Sequence, residues 1–511
     1  MHKRLNAQVM FLASNYCNNK IRPKHLSDDP DKRPYKKGIM HKRLLSLLGL
    51  VMLGVNIVNS QSSRRVEEYL LSDPSLKSAQ ISFSLVDLAT GEEVDFYNSS
   101  TGMVPASTLK LLTTASVLKE LGPDFTMMTT VGYNGQITSD GVLKGNLIIK
   151  GSGDPTLGSK YSANASQDFF NKILHGLKAL GVNSIEGSIL VDDSDLGFQP
   201  VPSAWTWEDM GNYYAAGVFG VNYQDNMYEI TLNTSKKGKR PTVMGLSPKV
   251  EGLDIVNGLE SYATSYDSAY IYGAPYCARR SIYGAVPQTS ATFKIKGDIP
   301  DPAIHLAKQL KSFLSPILKL NVDCITARML IENSEPVSQV QNTILLYKGD
   351  RLRDVITTTN RYSNNLYAEA LLRQLALKNG GKTTAEGVKS MMALWDDLGM
   401  NTKSVLVKDG SGLSPLNRMT AQFMSKVLYI MKDDWIFKQS IPVVGKEGTV
   451  RTFMSNGKWS GAARIKSGSM GQVLCYAGYL LDRYAVVVMV NNAEVSNSYV
   501  RKSVEKMLNN I

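Results

Sequence analysis

The sequence predicts an α/β (α+β) fold in which one domain, an antiparallel sheet flanked by helices, is interrupted by a β-rich insertion of one or two small domains. Three observations predict it. A strand pair and a helix open the folded part, a long stretch of short strands broken by Gly, Asn, Asp and Pro follows, and helices with two strong strands close it. With 511 residues, 43% of them apolar, the chain can build more than one hydrophobic core.

Taken in order, residues 81–86 alternate apolar and polar side chains, Ala89-Thr90-Gly91 turns, and 94–97 returns, the pattern of a β-hairpin. Pro105 suits a first helical turn, and the apolar positions that continue to Leu121 predict a helix starting there. Short strand-like runs such as 145–150 and 188–192 mark the insertion. Helical patterns resume at 360–378 and 384–398, strands are predicted at 474–481 and 484–490 around Asp482-Arg483, and a last helix begins near Ser496. Residues 61–130 and 337–511 are therefore assigned to one interrupted domain and 131–336 to the insertion.

Ahead of them, His41-Lys42-Arg43, an apolar run of about fifteen residues and Val58-Asn59-Ser60 have the form of a secretory signal over 40–60. Such a run falls short of the roughly 20 residues that span a bilayer. An exported protein of the periplasm or cell envelope is expected, with an uncleaved anchor and peripheral membrane association as the alternative. Residues 1–39 fit neither leader nor domain, and Met40-His41-Lys42-Arg43-Leu44 repeats Met1-His2-Lys3-Arg4-Leu5. Translation is expected to start at Met40, leaving 1–39 as a non-native extension.

That division explains the charge. Eleven Lys and Arg against three Asp in residues 1–60 supply +8 of the net +12, and the remaining +4 gives no warrant for a nucleic-acid partner. Beyond the leader stand Cys277, Cys324 and Cys475, without Cys-x-x-Cys spacing, so neither a metal nor another cofactor is expected. Cys277 with Cys324 is the pair that an oxidising compartment could join.

A serine hydrolase needs a group to take the hydroxyl proton, usually histidine. Beyond the leader there are only His175 and His305, both in helix-like segments of the insertion where an ordinary surface or core role suffices. Lysine is the alternative base. Ser107 and Lys110 lie three residues apart, on one face of the predicted helix. Alone, Ser-x-x-Lys arises by chance about once or twice in a chain this long. Here it is followed by Ser363-Asn364-Asn365 at the start of an apolar helix and by Lys466-Ser467-Gly468-Ser469 on a strand. Ser-x-x-Lys, Ser-x-Asn and Lys-Thr/Ser-Gly in that order form the signature set of serine penicillin-recognising enzymes.

With these motifs the chain resembles the class C low-molecular-mass penicillin-binding proteins, the D-alanyl-D-alanine carboxypeptidase/endopeptidases of peptidase family S13. The wide gap between Ser107 and Ser363 matches a family whose catalytic domain is interrupted by extra domains. Gly151-Ser152-Gly153-Asp154-Pro155-Thr156-Leu157, Trp205-Thr206-Trp207, Asp409-Gly410-Ser411-Gly412-Leu413-Ser414 and 445–451 resemble other family segments. The resemblance implies a serine β-lactamase/DD-peptidase-like domain acting on peptidoglycan stem peptides, with β-lactams as inhibitors. It makes Ser107 the nucleophile, Lys110 its base, Ser363 the proton relay and Asn365 a substrate or Lys110 contact. Lys466 and Ser467 would bind the substrate carboxylate, with Gly468 beside them, and the backbone N–H groups of Ser107 and Ser469 would form the oxyanion hole. Burial beside a second ammonium, Lys466, is expected to lower the pKa of Lys110.

Three positions depart from the usual pattern: Asn364 for Asp, Ser467 for Thr, and Glu447 for Asp. Asp154 and Asp409 read first as turn residues. Asp192, Asp193 and Asp195 read as solvated loop carboxylates ahead of acceptors for a basic group of the peptide stem, and Trp205 and Trp207 as core ahead of sugar platforms. The competing functions are a non-catalytic β-lactam sensor or wall-binding scaffold and a β-lactamase-fold esterase or β-lactamase.

Overall fold

Tyr484–Asn491 reads YAVVVMVN, apolar at consecutive rather than alternate positions, and the strand lies inside a sheet covered on both faces. The computed structural model describes residues 63–163, 166–289 and 292–511, so the extension and leader read at 1–60 lie outside the described residues. The sheet has five strands in the order Arg464–Met470, Val473–Leu480, Tyr484–Asn491, Gln80–Asp87, Glu93–Tyr97. Gln80 faces Asn491 and Asp87 faces Tyr484, so the first and last parts of the chain form one antiparallel domain.

On one face, Phe83, Leu85, Val486 and Val488 share a core with Val500, Val504 and Leu508 of helix Asn497–Asn509. On the other, Cys475, Ala477, Val487 and Met489 share one with helices Leu109–Leu121, Asn365–Lys378 and Ala421–Ile430. Helix Leu109–Leu121 is buried continuously from Leu109 to Leu118, as a helix with no polar stripe must be. Its buried hydroxyls are satisfied: Thr114 donates to the Lys110 carbonyl at 2.8 Å and Thr113 to the Gly410 carbonyl at 2.7 Å.

The insertion holds two cores. A seven-stranded mixed sheet pairs Thr126–Tyr133 with Asn342–Arg351 and includes parallel neighbours Leu147–Lys150 and Ser184–Asp192. Helices Ser166–Ala179 and Pro302–Leu314 cover it through Phe169, Ile173, Leu306 and Leu310. Two three-stranded sheets enclose a smaller core of Tyr228, Ile230, Leu259, Ile282 and Ile295, tied by the buried Arg280–Asp298 ion pair at 2.6 Å.

Only this second core is purely β. The boundaries at 131 and 336 are corrected: the first falls within a strand and the second ahead of its partner, so the inserted sheet extends to Thr126 and Arg351. A change of texture in the sequence does not reveal which strands pair across some 200 residues.

The three described cysteines are free, so Cys277 and Cys324 are not joined: Cys277 is exposed in a loop, whereas Cys324 lies on Lys319–Thr326 in the other core. Among the described residues no helix is long and apolar enough to cross a membrane.

Candidate active site

Ser107 sits in a single turn, Ala106–Thr108, that runs into helix Leu109–Leu121. One helical turn on, Lys110 is buried and its Nζ donates to Ser107 Oγ at 2.9 Å, to Asn365 Oδ1 at 2.6 Å and to the Ser411 carbonyl at 2.7 Å. Ala106 and Ser363 both take positive φ, 45° and 56°, a strained conformation for residues with side chains and one that gathers at functional sites.

Ser363 ends helix Leu352–Tyr362, and Asn364 caps the next helix, Asn365–Lys378, by accepting from Tyr367 N at 3.2 Å. That explains the Asn364 departure, since Asn and Asp cap equally well. Asn365 then faces two ways, Oδ1 toward Lys110 and Nδ2 donating to the Tyr214 carbonyl at 2.7 Å.

Strand Arg464–Met470 brings up the third motif. Lys466 is buried, and its Nζ donates to Ser363 Oγ at 3.0 Å and to the Ser467 carbonyl at 2.6 Å. Ser467 Oγ donates to Thr449 Oγ1 at 2.7 Å, and Ser469 Oγ accepts from Asn497 Nδ2 at 2.8 Å.

Ile465 N donates to the Pro442 carbonyl across the sheet edge, so the alternation of a strand turns the Ser467 and Ser469 N–H groups to that same edge. Gly468 lets the strand lie against the Ser107 turn: a Cβ there would stand 2.8 Å from the Pro105 carbonyl and 2.9 Å from Ser107 N. Glu447 anchors the neighbouring loop, accepting from Val443 N at 3.0 Å and approaching Arg361 at 3.5 Å, so its longer side chain ties that loop to the helix ahead of Ser363.

Burial lowers the pKa of Lys110 to about 7, against the opposing pull of Asp409 and Glu369. Burial also pushes Lys466 well down, with the charge of Lys110 adding to it. The burial expected at Lys110 is its largest cause, and at Lys466 the repulsion between the two ammonium groups comes second to burial.

Sequence reasoning missed Glu369, Ser411, Thr449, Asn497 and the Tyr214 carbonyl. Glu369 is buried, and its carboxylate accepts from Gly410 N at 3.0 Å and Ser411 N at 2.8 Å, holding the loop whose carbonyl binds Lys110. Burial and the charge of Asp409 raise its pKa. A glutamate one helical turn after Asn365 in an otherwise apolar run was the available signal.

Asp409 does act as a loop organiser, accepting from Gly412 N, Ser414 N, Asn417 Nδ2 and Trp205 Nε1. Asp192 and Asp193 are buried rather than solvated. Asp192 bonds Ser194, and Asp193 accepts from Arg328 N and has its pKa raised to about 7 by burial. His175 is exposed, and His305 pairs with Gln224 in the insertion, so neither belongs to this cluster.

Known proteins resemble this chain along most of its length. A D-alanyl-D-alanine carboxypeptidase of Actinomadura sp. (strain R39) is 24% identical over 462 residues, covering 85% of this chain and 83% of the relative. The D-alanyl-D-alanine carboxypeptidase DacB of Haemophilus influenzae is 25% identical, covering 81% and 86%. The crystal structure of penicillin binding protein 4 from Haemophilus influenzae shares the fold, with a TM-score of 0.74 at 20% identity over 87% of this chain and 98% of that one. The sequence profile of the D-Ala-D-Ala carboxypeptidase 3 (S13) family matches residues 63–510. Because that match takes in the five-stranded sheet, the insertion and all three motifs, the chain belongs to the D-Ala-D-Ala carboxypeptidase (S13) family of serine peptidases.

Proposed function

We propose that the chain is a penicillin-binding DD-peptidase that hydrolyses D-Ala-D-Ala bonds or peptide cross-links of peptidoglycan through an acyl-enzyme on Ser107. The observation that carries this reading is a buried lysine with a pKa near 7 whose Nζ lies 2.9 Å from the serine oxygen. Family membership, and relatives named as D-alanyl-D-alanine carboxypeptidases and as a penicillin binding protein, support it.

In this reading Ser107 Oγ attacks the carbonyl carbon as Lys110 takes its proton. The substrate's terminal carboxylate lies against Lys466 and the Ser467 hydroxyl. Its charge favours the ammonium at Lys466, and that ammonium disfavours a second one at Lys110, so binding substrate frees the base. The N–H groups of Ser107 and Ser469 receive the oxyanion where Gly468 brings their strand and turn together. Ser363, bonded to Lys466, relays the proton to the departing amine, and water then releases the acyl group. Asn365 fixes Lys110. The wall polymer as substrate supports an exported protein of the periplasm or cell envelope.

Labelling the purified protein with a fluorescent penicillin and assaying D-alanine release from a soluble pentapeptide, with Ser107→Ala as control, tests the proposal. Labelling and release that both vanish in Ser107→Ala are expected. Labelling without release indicates a sensor, fast release of opened antibiotic a β-lactamase, and no labelling overturns the reading.

A further inference from the structure

Trp207 plays no part in this chemistry. In Trp205-Thr206-Trp207 the first ring is buried, with Nε1 on Asp409 at 2.8 Å, while the second is 56% exposed, so the expectation that both lie in the core is corrected. The buried ring pins the loop to the catalytic domain. The exposed ring begins a row of aromatics on the smaller β core of the insertion.

That row follows from strand alternation. Tyr270–Tyr272 pairs with Arg279–Pro287, setting Tyr270 opposite Tyr283, Ile271 opposite Ile282, and Tyr272 opposite Ser281. Ile271 and Ile282 enter the core, so Tyr270, Tyr272, Ser281 and Tyr283 share the outer face. Tyr283 is 51% exposed, and its ring lies over Gly258, where a Cβ would come within 2.5 Å of it. Ring centroids step 6.3 Å from Trp207 to Tyr272 and 6.2 Å from Tyr272 to Tyr283. These rings line a groove of about 680 Å³ with Ser281 and with Arg279, whose Nε is held by Asp254 at 2.9 Å.

An exposed aromatic patch with a polar rim marks a binding surface. Its chemistry selects the occupant. Among the described residues no Leu, Ile, Val, Met or Phe lines the groove, which disfavours a lipid tail or the apolar face of a helix. Flat Trp and Tyr faces suit the C–H faces of pyranose rings, while Arg279 and Ser281 offer hydrogen bonds to hydroxyl and acetamido groups at the ring edges. One loop ties this surface to the reaction site. Loop 205–214 carries Trp207 and reaches the catalytic cluster twice, through Trp205 to Asp409 and through the Tyr214 carbonyl to Asn365.

We propose that Trp207, Tyr272 and Tyr283 form a saccharide-binding platform for the amino-sugar strand of peptidoglycan, which it holds while one of that strand's stem peptides enters the Ser107 cleft. The proposal rests on the DD-peptidase reading for the identity of the polymer. The platform would concentrate the enzyme on polymeric wall without touching the bond that is cut.

The test compares Trp207→Ala and Tyr283→Ser with the unaltered protein. Co-sedimentation with glycan strands stripped of their stem peptides reads the platform alone. Turnover on intact sacculi, D-alanine release from a soluble pentapeptide and penicillin acylation read the catalytic site and the integrity of the fold. Each variant is expected to lose about tenfold in glycan binding and in kcat/KM on sacculi, with soluble release and acylation unchanged. Unchanged glycan binding, or equal losses on sacculi and soluble peptide, overturns the proposal. So does a dimer lost in Trp207→Ala while glycan binding persists, since the face would then belong to a second copy. Glycan binding by a protein that releases no D-alanine would separate failure of the DD-peptidase reading from failure of this one.

Discussion

Lys110 can accept a proton only while neutral, and its surroundings pull both ways: burial disfavours the ammonium, whereas Asp409 and Glu369 favour it. The balance near 7 fixes the direction of the pH dependence. A base must be unprotonated, so kcat/KM for a soluble pentapeptide should rise about tenfold per pH unit up to roughly pH 7 and then level. A rate–pH profile checks this. Glu369 gives a second prediction. Glu369→Gln removes a charge that supports the Lys110 ammonium, so the acidic limb should move to lower pH. That shift alone would slightly raise the rate at pH 7. Because the Gly410-Ser411 backbone also loses an anionic acceptor, kcat/KM there should instead fall on the order of tenfold. A merely structural role would lower the rate without moving the limb. At this scale the sequence displayed Ser107, Lys110, Ser363, Asn365 and Lys466 through spacing. It hid Ser411 and Tyr214, which act through carbonyls that any residue carries.

Among the elements, the hairpin, the helix after Ser107 and the strands around Asp482-Arg483 were legible because their apolar periods are strong and local. The fit between elements was not, and glycines carry much of it. Gly412 has φ 82°, and a Cβ there would stand 2.0 Å from the Ala106 carbonyl, next to Ser107. Gly399 has nearly the same φ, 78°, with nothing within 4 Å of its would-be Cβ. Gly399→Ala should therefore cost about 1 kcal/mol of stability and leave penicillin acylation intact. Gly412→Ala should cost more and suppress acylation. Thermal melts paired with labelling kinetics separate the two effects. Asn364→Asp should be neutral and Asn364→Ala should cost about 1 kcal/mol, by the same melts, since the side chain acts as a helix cap.

At the scale of the whole molecule, the insertion is a wall of the active site as well as a separate pair of cores. Trp205 and Tyr214 belong to it by sequence, yet they bond Asp409 and Asn365 of the catalytic domain. Trp205→Phe keeps a buried aromatic ring, though a smaller one, and leaves Asp409 short of one donor, so acylation should slow by about tenfold with the fold retained, as stopped-flow labelling would show. The sequence announced that an insertion exists, through its length and strand texture. It could not show that Thr126–Tyr133 pairs with Asn342–Arg351, or that of two tryptophans two residues apart one is buried and the other exposed, because both depend on contacts distant in the chain. All of this rests on Ser107 as the atom that carries the acyl group. Peptide mapping by mass spectrometry after treatment with a β-lactam tests that most directly: the account predicts a single covalent adduct on the peptide containing Ser107, and an adduct on any other serine, or none, would contradict it.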